Sequence, residues 1–392
     1  MKAKPNKFLL VFLLFVAPMV AAAAETISNS NVQTGEDDAS SLQVKPSVTI
    51  SVGSSSNVGK LNNKSSGTYG EVSPAISFEY LPLDTVFLNL QVNGEFKQFS
   101  EAASRTIGDE KNGEIRSAGI WFVNDTWELG GDIGAFYTEN RVPVQISSTE
   151  TSAQIQRYME PDSRLYLAWV GDKFLVETGA SAKLRQYSTK TEDRGNTYRN
   201  DFDTFGGDLK IGYALAESFR VSAKVLIEDK KYKERSADFS DGAASNPRSP
   251  HPILQETANE IGLAADYTFG KLNFTTAPTI RFNKDRVFGA RDSETLKFQQ
   301  KIIVPFGKKL AWSPGFTISE ERFSRFRSNP EDDPFGSPLR KDLDFKVASP
   351  MKYTLIENLQ INAEYGFSRK VSNYANGSYT EHAVSAGFTV SI

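Results

Sequence analysis

From Leu42 onward the chain repeats one pattern. A segment of about ten or more residues alternates apolar and polar side chains, a short turn follows, then a second such segment and a longer polar loop. In the first segment Leu42, Val44, Val48, Ile50 and Val52 share one face, while Gln43, Lys45, Ser47, Thr49 and Ser51 share the other. Such alternation marks a strand with one apolar and one polar face. The second segment sets Val72, Ile76, Phe78 and Tyr80 against Glu71, Ser73, Ser77 and Glu79, and the turn Leu81-Pro82-Leu83-Asp84 leads into a third, Val86 to Glu95. The last, Ser378 to Ile392, sets Val384, Ala386, Phe388, Val390 and Ile392 against Ser385, Gly387, Thr389 and Ser391. A strand at the end of a sheet has a free edge that must pair within the chain or invite aggregation, and closure into a barrel supplies that partner.

The other segments fall at Ile115 to Val123, Trp127 to Tyr137, Ile155 to Trp169, Phe174 to Arg185, Tyr198 to Tyr213, Phe219 to Lys230 and Thr257 to Tyr267, then Leu272 to Asn283, Glu294 to Phe306, Leu310 to Ser319, Lys341 to Ala348 and Leu359 to Arg369. The pattern predicts an all-β fold: a transmembrane antiparallel up-and-down β-barrel of about 16 strands, with about 14 or 18 as the neighbouring even counts. Short turns such as Asn124-Asp125-Thr126, Gly171-Asp172 and Gly307-Lys308-Lys309 alternate with longer loops such as Glu234 to Glu256 and Glu321 to Leu339. In membrane barrels the short turns face the periplasm and the long loops face outward.

The aromatic residues follow the same frame. Trp121, Trp127, Trp169 and Trp312 all lie beside predicted short turns, where indole rings meet both lipid and water. By parity Trp121 points inward; Phe122, with Tyr80, Phe174, Tyr213, Phe219, Tyr267 and Phe306, takes the outward parity of a periplasmic girdle. Arg116, Arg157 and Asp229 take the outward parity towards the long loops, and Gln300 is an outward polar residue amid apolar ones. Pro46, Pro74, Pro278 and Pro314 fall within strand patterns, where each removes a ladder hydrogen bond, so bulges or strand ends are expected there.

Composition sets the compartment. Lys2, Lys4 and Lys7, an apolar run from Phe8 to Val20 and the tract Ala21 to Ala24 read as a secretory signal peptide, with Ala22 and Ala24 at the cleavage site. The expected division is a signal peptide over 1–24, a flexible polar periplasmic stub over 25–41, and the barrel over 42–392. Removing three lysines takes the net charge from -3 to about -6, with no basic tail for nucleic acid. The chain has no cysteine, so it is not a disulfide-rich secreted scaffold. After the leader no run of about 18 apolar residues remains, which excludes helical spans but not strands, whose membrane signal is hidden by alternation.

The inward parity is polar and charged. Glu71, Glu95, Glu128, Asp132, Glu160 and Glu177 occupy it early, and Lys183, Arg185, Lys210, Arg220, Lys224, Lys230, Arg281, Lys297 and Lys301 occupy it later, interrupted by Asp208, Glu228, Glu260 and Asp266. A dry core does not hold such a set, since each buried ion costs several kcal/mol, roughly. About 16 strands also enclose more space than side chains fill, so a water-filled channel follows. Pore-lining candidates are Glu95, Glu128, Asp132, Glu177, Lys183, Arg185, Lys210, Arg220, Lys224, Arg281, Lys297 and Lys301. Two arrangements satisfy the order of signs: acidic and basic walls facing each other across the lumen, or Lys and Glu paired along the wall.

Leader, strand count, turn alternation and terminal strand together resemble a Gram-negative outer-membrane porin, over essentially the whole mature chain. Ile392 departs from the terminal aromatic usual in such barrels, although Phe388 keeps an aromatic on that face. The resemblance implies a passive outer-membrane channel for small hydrophilic solutes and ions, without catalytic residues, cofactor or metal. It implies as partners outer-membrane lipid and lipopolysaccharide, the barrel assembly machinery and the solutes, with no nucleic acid, and a homotrimer or a monomer.

General trimeric porins fold a long third loop into the pore. The third loop here, Thr138 to Gln154, is modest, which leaves the fifth loop, Glu234 to Glu256, or the wall itself to narrow the lumen. Outward Gly131, Ala135, Ala180 and Ala182 suit either subunit packing or lipid.

Three other readings belong to different classes. A substrate-specific channel for acidic oligosaccharides would use Lys183, Arg185, Lys210, Arg220 and Lys224 as a basic ladder. An outer-membrane hydrolase needs a general base, and the two histidines are His251 in a Pro-rich loop and His382 on the outward parity of the last strand. A surface adhesin would use the loops. The run Glu331-Asp332-Asp333 in the seventh loop is read as a solvated tip rather than a cation site.

Overall fold

Each alternating segment becomes a strand because its two faces have different destinations, and in a closed antiparallel sheet every backbone N–H and C=O finds a partner on a neighbouring strand. The computed structural model describes residues 41–57, 66–100, 109–145, 151–188, 191–193, 196–198, 201–236, 253–287, 289, 291–327, 338–373 and 377–391. The leader, residues 25–40 of the stub, Ile392, His251 and the Glu331-Asp332-Asp333 run lie outside the described residues, and Ser41 opens the first strand.

Seven strands come first: β1 Ser41–Ser55, β2 Gly67–Leu83, β3 Val86–Phe99, β4 Glu110–Phe122, β5 Trp127–Gln145, β6 Thr151–Val170 and β7 Phe174–Tyr187. After a short hairpin of Thr191–Asp193 and Asn196–Tyr198 come β8 Phe202–Ala216, β9 Phe219–Ser236, β10 Ile253–Phe269, β11 Leu272–Asp285 and β12 Ser293–Phe306. β13 has two parts, Leu310–Trp312 and Gly315–Arg327, and is followed by β14 Leu339–Ile356, β15 Leu359–Ser372 and β16 Tyr379–Ser391. Every strand pairs with its sequence neighbour, and β1 pairs with β16 from Ser47 opposite Ser391 to Ser55 opposite Ala383. The result is a closed antiparallel barrel of 16 strands.

Pro314 falls at a strand end as expected, between Leu310–Trp312 and Gly315–Arg327, but Pro46, Pro74 and Pro278 lie inside strands. Pro46 stands opposite Ile76 and Pro74 opposite Val48 in an unbroken β1–β2 register, and Pro278 stands opposite Phe298 in an unbroken β11–β12 register. On its other side Pro74 leaves the β2–β3 ladder open between Val72 and Ala75, yet the same frame resumes beyond. At Pro314 the strand splits, but Trp312 opposite Val304 and Gly315 opposite Lys301 keep one frame, and Ile302 N–H donates to the Pro314 carbonyl at 2.9 Å. In an antiparallel ladder the N–H and C=O of one residue address the same neighbour, so a proline opens one side and spares the other. Register shifts occur instead at strand ends, as between Ala214 and Ala216.

The strands are longer than the alternation implied. β5 has 19 residues and β6 has 20. At ~3.3 Å per residue they run to roughly 60 Å, more than a tilted crossing of a ~25 Å apolar band requires. The third loop therefore shrinks: most of Thr138 to Gln154 is strand, and only 146–150 separates β5 from β6. β8 starts at Phe202 rather than Tyr198, which belongs to the short hairpin.

Short turns carry their own chemistry. Gly270 and Gly307 take positive φ angles of 61° and 70°, which side chains disfavour. Asn124 Oδ1 accepts from the backbone N–H groups of Thr126 and Trp127, both at 2.9 Å, closing the β4–β5 turn.

Candidate functional site

Residues opposite each other in neighbouring strands share a face, so the register carries one face around the whole barrel. The outer face is apolar and open: Leu165 is 69% exposed and Phe205 60%, with Leu42, Val52 and Ile133 similar. Alternate positions carry the charges. A closed barrel with an apolar outside and a charged inside is stable only with lipid around it and water within. The chain is an outer-membrane-type β-barrel.

The register corrects one strand. Arg116 lies opposite Gln91 on β3 and Gly134 on β5, and it bonds Asp132 and Asp162, the latter at 3.0 Å. It therefore faces inward. Trp121, opposite Val86 and Leu129, faces outward and is 50% exposed, while Phe122, opposite Glu128, turns in. The run Ser117-Ala118-Gly119 in the middle of β4 is small and nearly featureless, so alternation there does not mark the apolar face.

Other outward residues sit as their parity indicated. Arg157 pairs with Glu139 at 3.0 Å and Asp229 with Arg286 at 3.1 Å, both towards the long-loop end. Gln300, the outward misfit, accepts a 2.6 Å hydrogen bond from Thr276, its cross-strand partner. Trp312 donates to Ser349 at 2.8 Å beside a short turn.

On the inner face many charges pair along the wall. Arg164 reaches Glu177 at 2.5 Å and Asp208 at 2.8 Å, and Lys224 approaches Asp208 at 3.9 Å. Glu160 receives Lys183 at 3.2 Å and also Arg185. Arg281 spans Glu228 at 2.7 Å and Glu260 at 3.4 Å. Glu95 accepts from Asn112 at 3.1 Å. The more open of these pairs contribute about 0–1 kcal/mol each, whereas Asp208 is buried beside Arg164; all of them hold charged groups at fixed places on the wall.

The remaining candidates share this face. Lys210 stands opposite Glu177 and Lys224, Arg220 opposite Asp266, and Glu128 opposite Ala168. Lys297 stands opposite Thr279 and Ser319, and Lys301 opposite Thr275 and Gly315. Lys346 and Lys352 on β14 face inward as well, since each lies two steps along the parity of Ala348 and Pro350. The register thus keeps Glu95, Glu114, Glu128, Asp132 and Asp162 on β3 to β6, and places Lys297, Lys301, Lys346 and Lys352 on β12 to β14, about half a turn away. Wall pairing and segregation of sign therefore coexist.

Sequence reading missed Asp162 and Arg164, which extend the inward parity of Glu160 by one and two steps, and Arg340 and Asp342 at the start of β14. Asp342 is held by Arg340 at 2.7 Å and Lys370 at 2.8 Å. His382 lies on the outer face against Phe367 and 3.0 Å from the Tyr365 hydroxyl.

No family model matches the chain, and no curated protein matches it. Among solved structures it is similar to the trimer form of OmpT, an outer membrane protein of Vibrio cholerae, at 10% identity and TM-score 0.48 over 91% of this chain and 100% of that one. It is similar to the anion-selective porin from Comamonas acidovorans at 12% identity and TM-score 0.44, over 90% and 100%. The copper transporter OprC matches at 9% identity and TM-score 0.44, over 90% and 81%. The barrel assignment stands on the chain's own register and faces.

Proposed function

We propose that this barrel is a passive channel of the Gram-negative outer membrane for small hydrophilic solutes and ions. One observation carries the reading: the inner face is polar and charged around the circumference, in a cylinder too wide for side chains alone to fill. The pore-lining set is Glu95, Glu128, Asp132, Glu177, Lys183, Arg185, Lys210, Arg220, Lys224, Arg281, Lys297 and Lys301. Paired charges leave many hydrogen-bonding groups facing water and only modest local excesses of sign, which favours polar solutes over apolar ones. A hydrolase reading finds no support in His382, whose outward position separates it from the inner-face carboxylates.

The test is conductance of the refolded protein in a planar lipid bilayer under a salt gradient. Large, stable current steps are expected, with a small reversal potential. A folded barrel that passes no current overturns the reading.

A second reading, selection of acidic oligosaccharides, is favoured by the cations gathered on the inner face of β7 to β14.

A further inference from the structure

At the long-loop end the inner face of β7 to β14 forms a recess of about 700 Å³. That volume is within the ~300–1,000 Å³ range of small-molecule sites. Lys183, Arg185, Lys230, Arg281, Arg291 and Arg340 line it, against three lining carboxylates, Glu228, Glu256 and Glu321.

The depth of the charges matters more than their number. Glu160, which holds Lys183 and Arg185, is 12% exposed, whereas Lys183 is 46% exposed. Asp342, which holds Arg340, is 1% exposed. Neither of these two carboxylates lines the recess. At Lys183, Arg185 and Arg340 the anion thus stands behind the cation, whereas Lys230 pairs with the lining Glu256 at 3.5 Å and Arg281 with the lining Glu228 at 2.7 Å, so cations still outnumber carboxylates on the surface that an incoming solute meets.

The cations are also held still. Arg185 lies over the Tyr158 ring at 4.4 Å and the Phe202 ring at 4.9 Å, and Lys230 lies over Phe202 at 4.2 Å and Tyr232 at 4.6 Å. Phe202, Tyr232 and Leu254 form a buried cluster beneath them. Side chains fixed in this way lose little freedom when a ligand arrives. Lys183 on β7 and Lys230 on β9 both stand level with Thr204 on β8, roughly 10 Å apart at the spacing of a sheet, and Arg281 on β11 stands level with Leu226, four residues along β9 from Lys230 and roughly 16 Å from it. A chain of acidic sugars spans such intervals; a single inorganic anion does not.

We propose that this recess binds an oligosaccharide carrying several carboxylates and retains it at the mouth before passage. The proposal rests on the channel reading above and gives it a substrate class. Carboxylates would take charge-assisted hydrogen bonds from the ammonium and guanidinium groups.

The experiment adds trigalacturonate, maltotriose or monomeric glucuronate to the long-loop side of a conducting bilayer. Trigalacturonate is expected to interrupt the current at least tenfold more often than the others at equal concentration. The double substitution Lys183→Gln and Lys230→Gln should reduce that frequency at least tenfold. Lys233→Gln, the same loss of charge on the outer face, should leave it unchanged. Blocks that are equal for maltotriose, or indifferent to the double substitution, overturn the proposal. Calorimetric titration of trigalacturonate into the folded barrel in detergent answers separately if no current is seen: binding weakened by the double substitution keeps the proposal, and no binding ends it. Mobility of unheated samples in gels verifies that each variant has folded.

Discussion

On the seam that closes the barrel, the carbonyl oxygen of Ile50 occupies the space that a Cβ on Gly387 would need, and Ser51 Cα stands 2.8 Å from the same point. β1 and β16 can approach this closely only because Gly387 has no side chain. Both obstacles are backbone or carry backbone with them, so no rotamer change relieves the clash. Gly387→Ala is expected to destabilise the barrel by about 1–3 kcal/mol, as overpacking does. Gly366→Ala on neighbouring β15, where a Cβ would meet Ala383 Cβ at 3.8 Å and its carbonyl oxygen at 4.0 Å, both ordinary contacts, should be tolerated. Urea unfolding in micelles, read by tryptophan emission, compares them; equal loss for both variants would remove the seam from the explanation.

Asp208 is 3% exposed and accepts two bonds from Arg164, at 3.2 and 2.8 Å. Replacing it by Ala leaves a half-buried guanidinium with Glu177 as its remaining carboxylate, and losing one partner of a buried pair costs about 3–5 kcal/mol. The Lys45–Glu79 pair is far more open, with Lys45 at 53%, and Glu79→Ala should cost about 1 kcal/mol or less. Thermal midpoints in one detergent should separate the two variants by several degrees.

Thr276 and Gln300 satisfy each other on the lipid face. Thr276→Val leaves the Gln300 carbonyl without that donor, at an expected cost of about 1–3 kcal/mol. Adding Gln300→Leu should restore stability to wild type or above, because removing both polar groups removes the need for either. A double-mutant cycle on unfolding free energies measures the coupling, and strictly additive losses would show that the bond contributes nothing.

Trp121 faces lipid and Arg116 faces water. In bilayers of brominated lipid, Trp121→Phe should remove a quenchable part of the tryptophan emission. A cysteine at position 116 should react with a charged thiol reagent, whereas one at 115 should not. The opposite pair of results would reverse the face of β4.

Strong alternation made most of the barrel legible. In β1, β2 and β16 the apolar residues recur at every second position, and the observed register follows them without exception. Parity carried the inner face of β5 to β12 with equal fidelity, because a side-chain period of two admits only two placements. It failed in β4, where Ser117, Ala118 and Gly119 fit either face equally well. Pro46, Pro74 and Pro278 misled for a related reason, unlike Pro314: a missing N–H is visible in sequence, but the neighbour it would have addressed is not.

What the sequence determined by itself is therefore the list of strands and, nearly everywhere, their two faces. Alternation is a local property, and lipid outside with water inside demands it of each strand separately. Which charges meet follows from the closed barrel: Arg164 joins Glu177 to Asp208, Glu160 stands behind Lys183 and Arg185, and Arg340 from β14 enters one recess with Lys183 from β7. Those relationships depend on the register between strands and on the curvature that closure imposes, and neither is a property of any single segment.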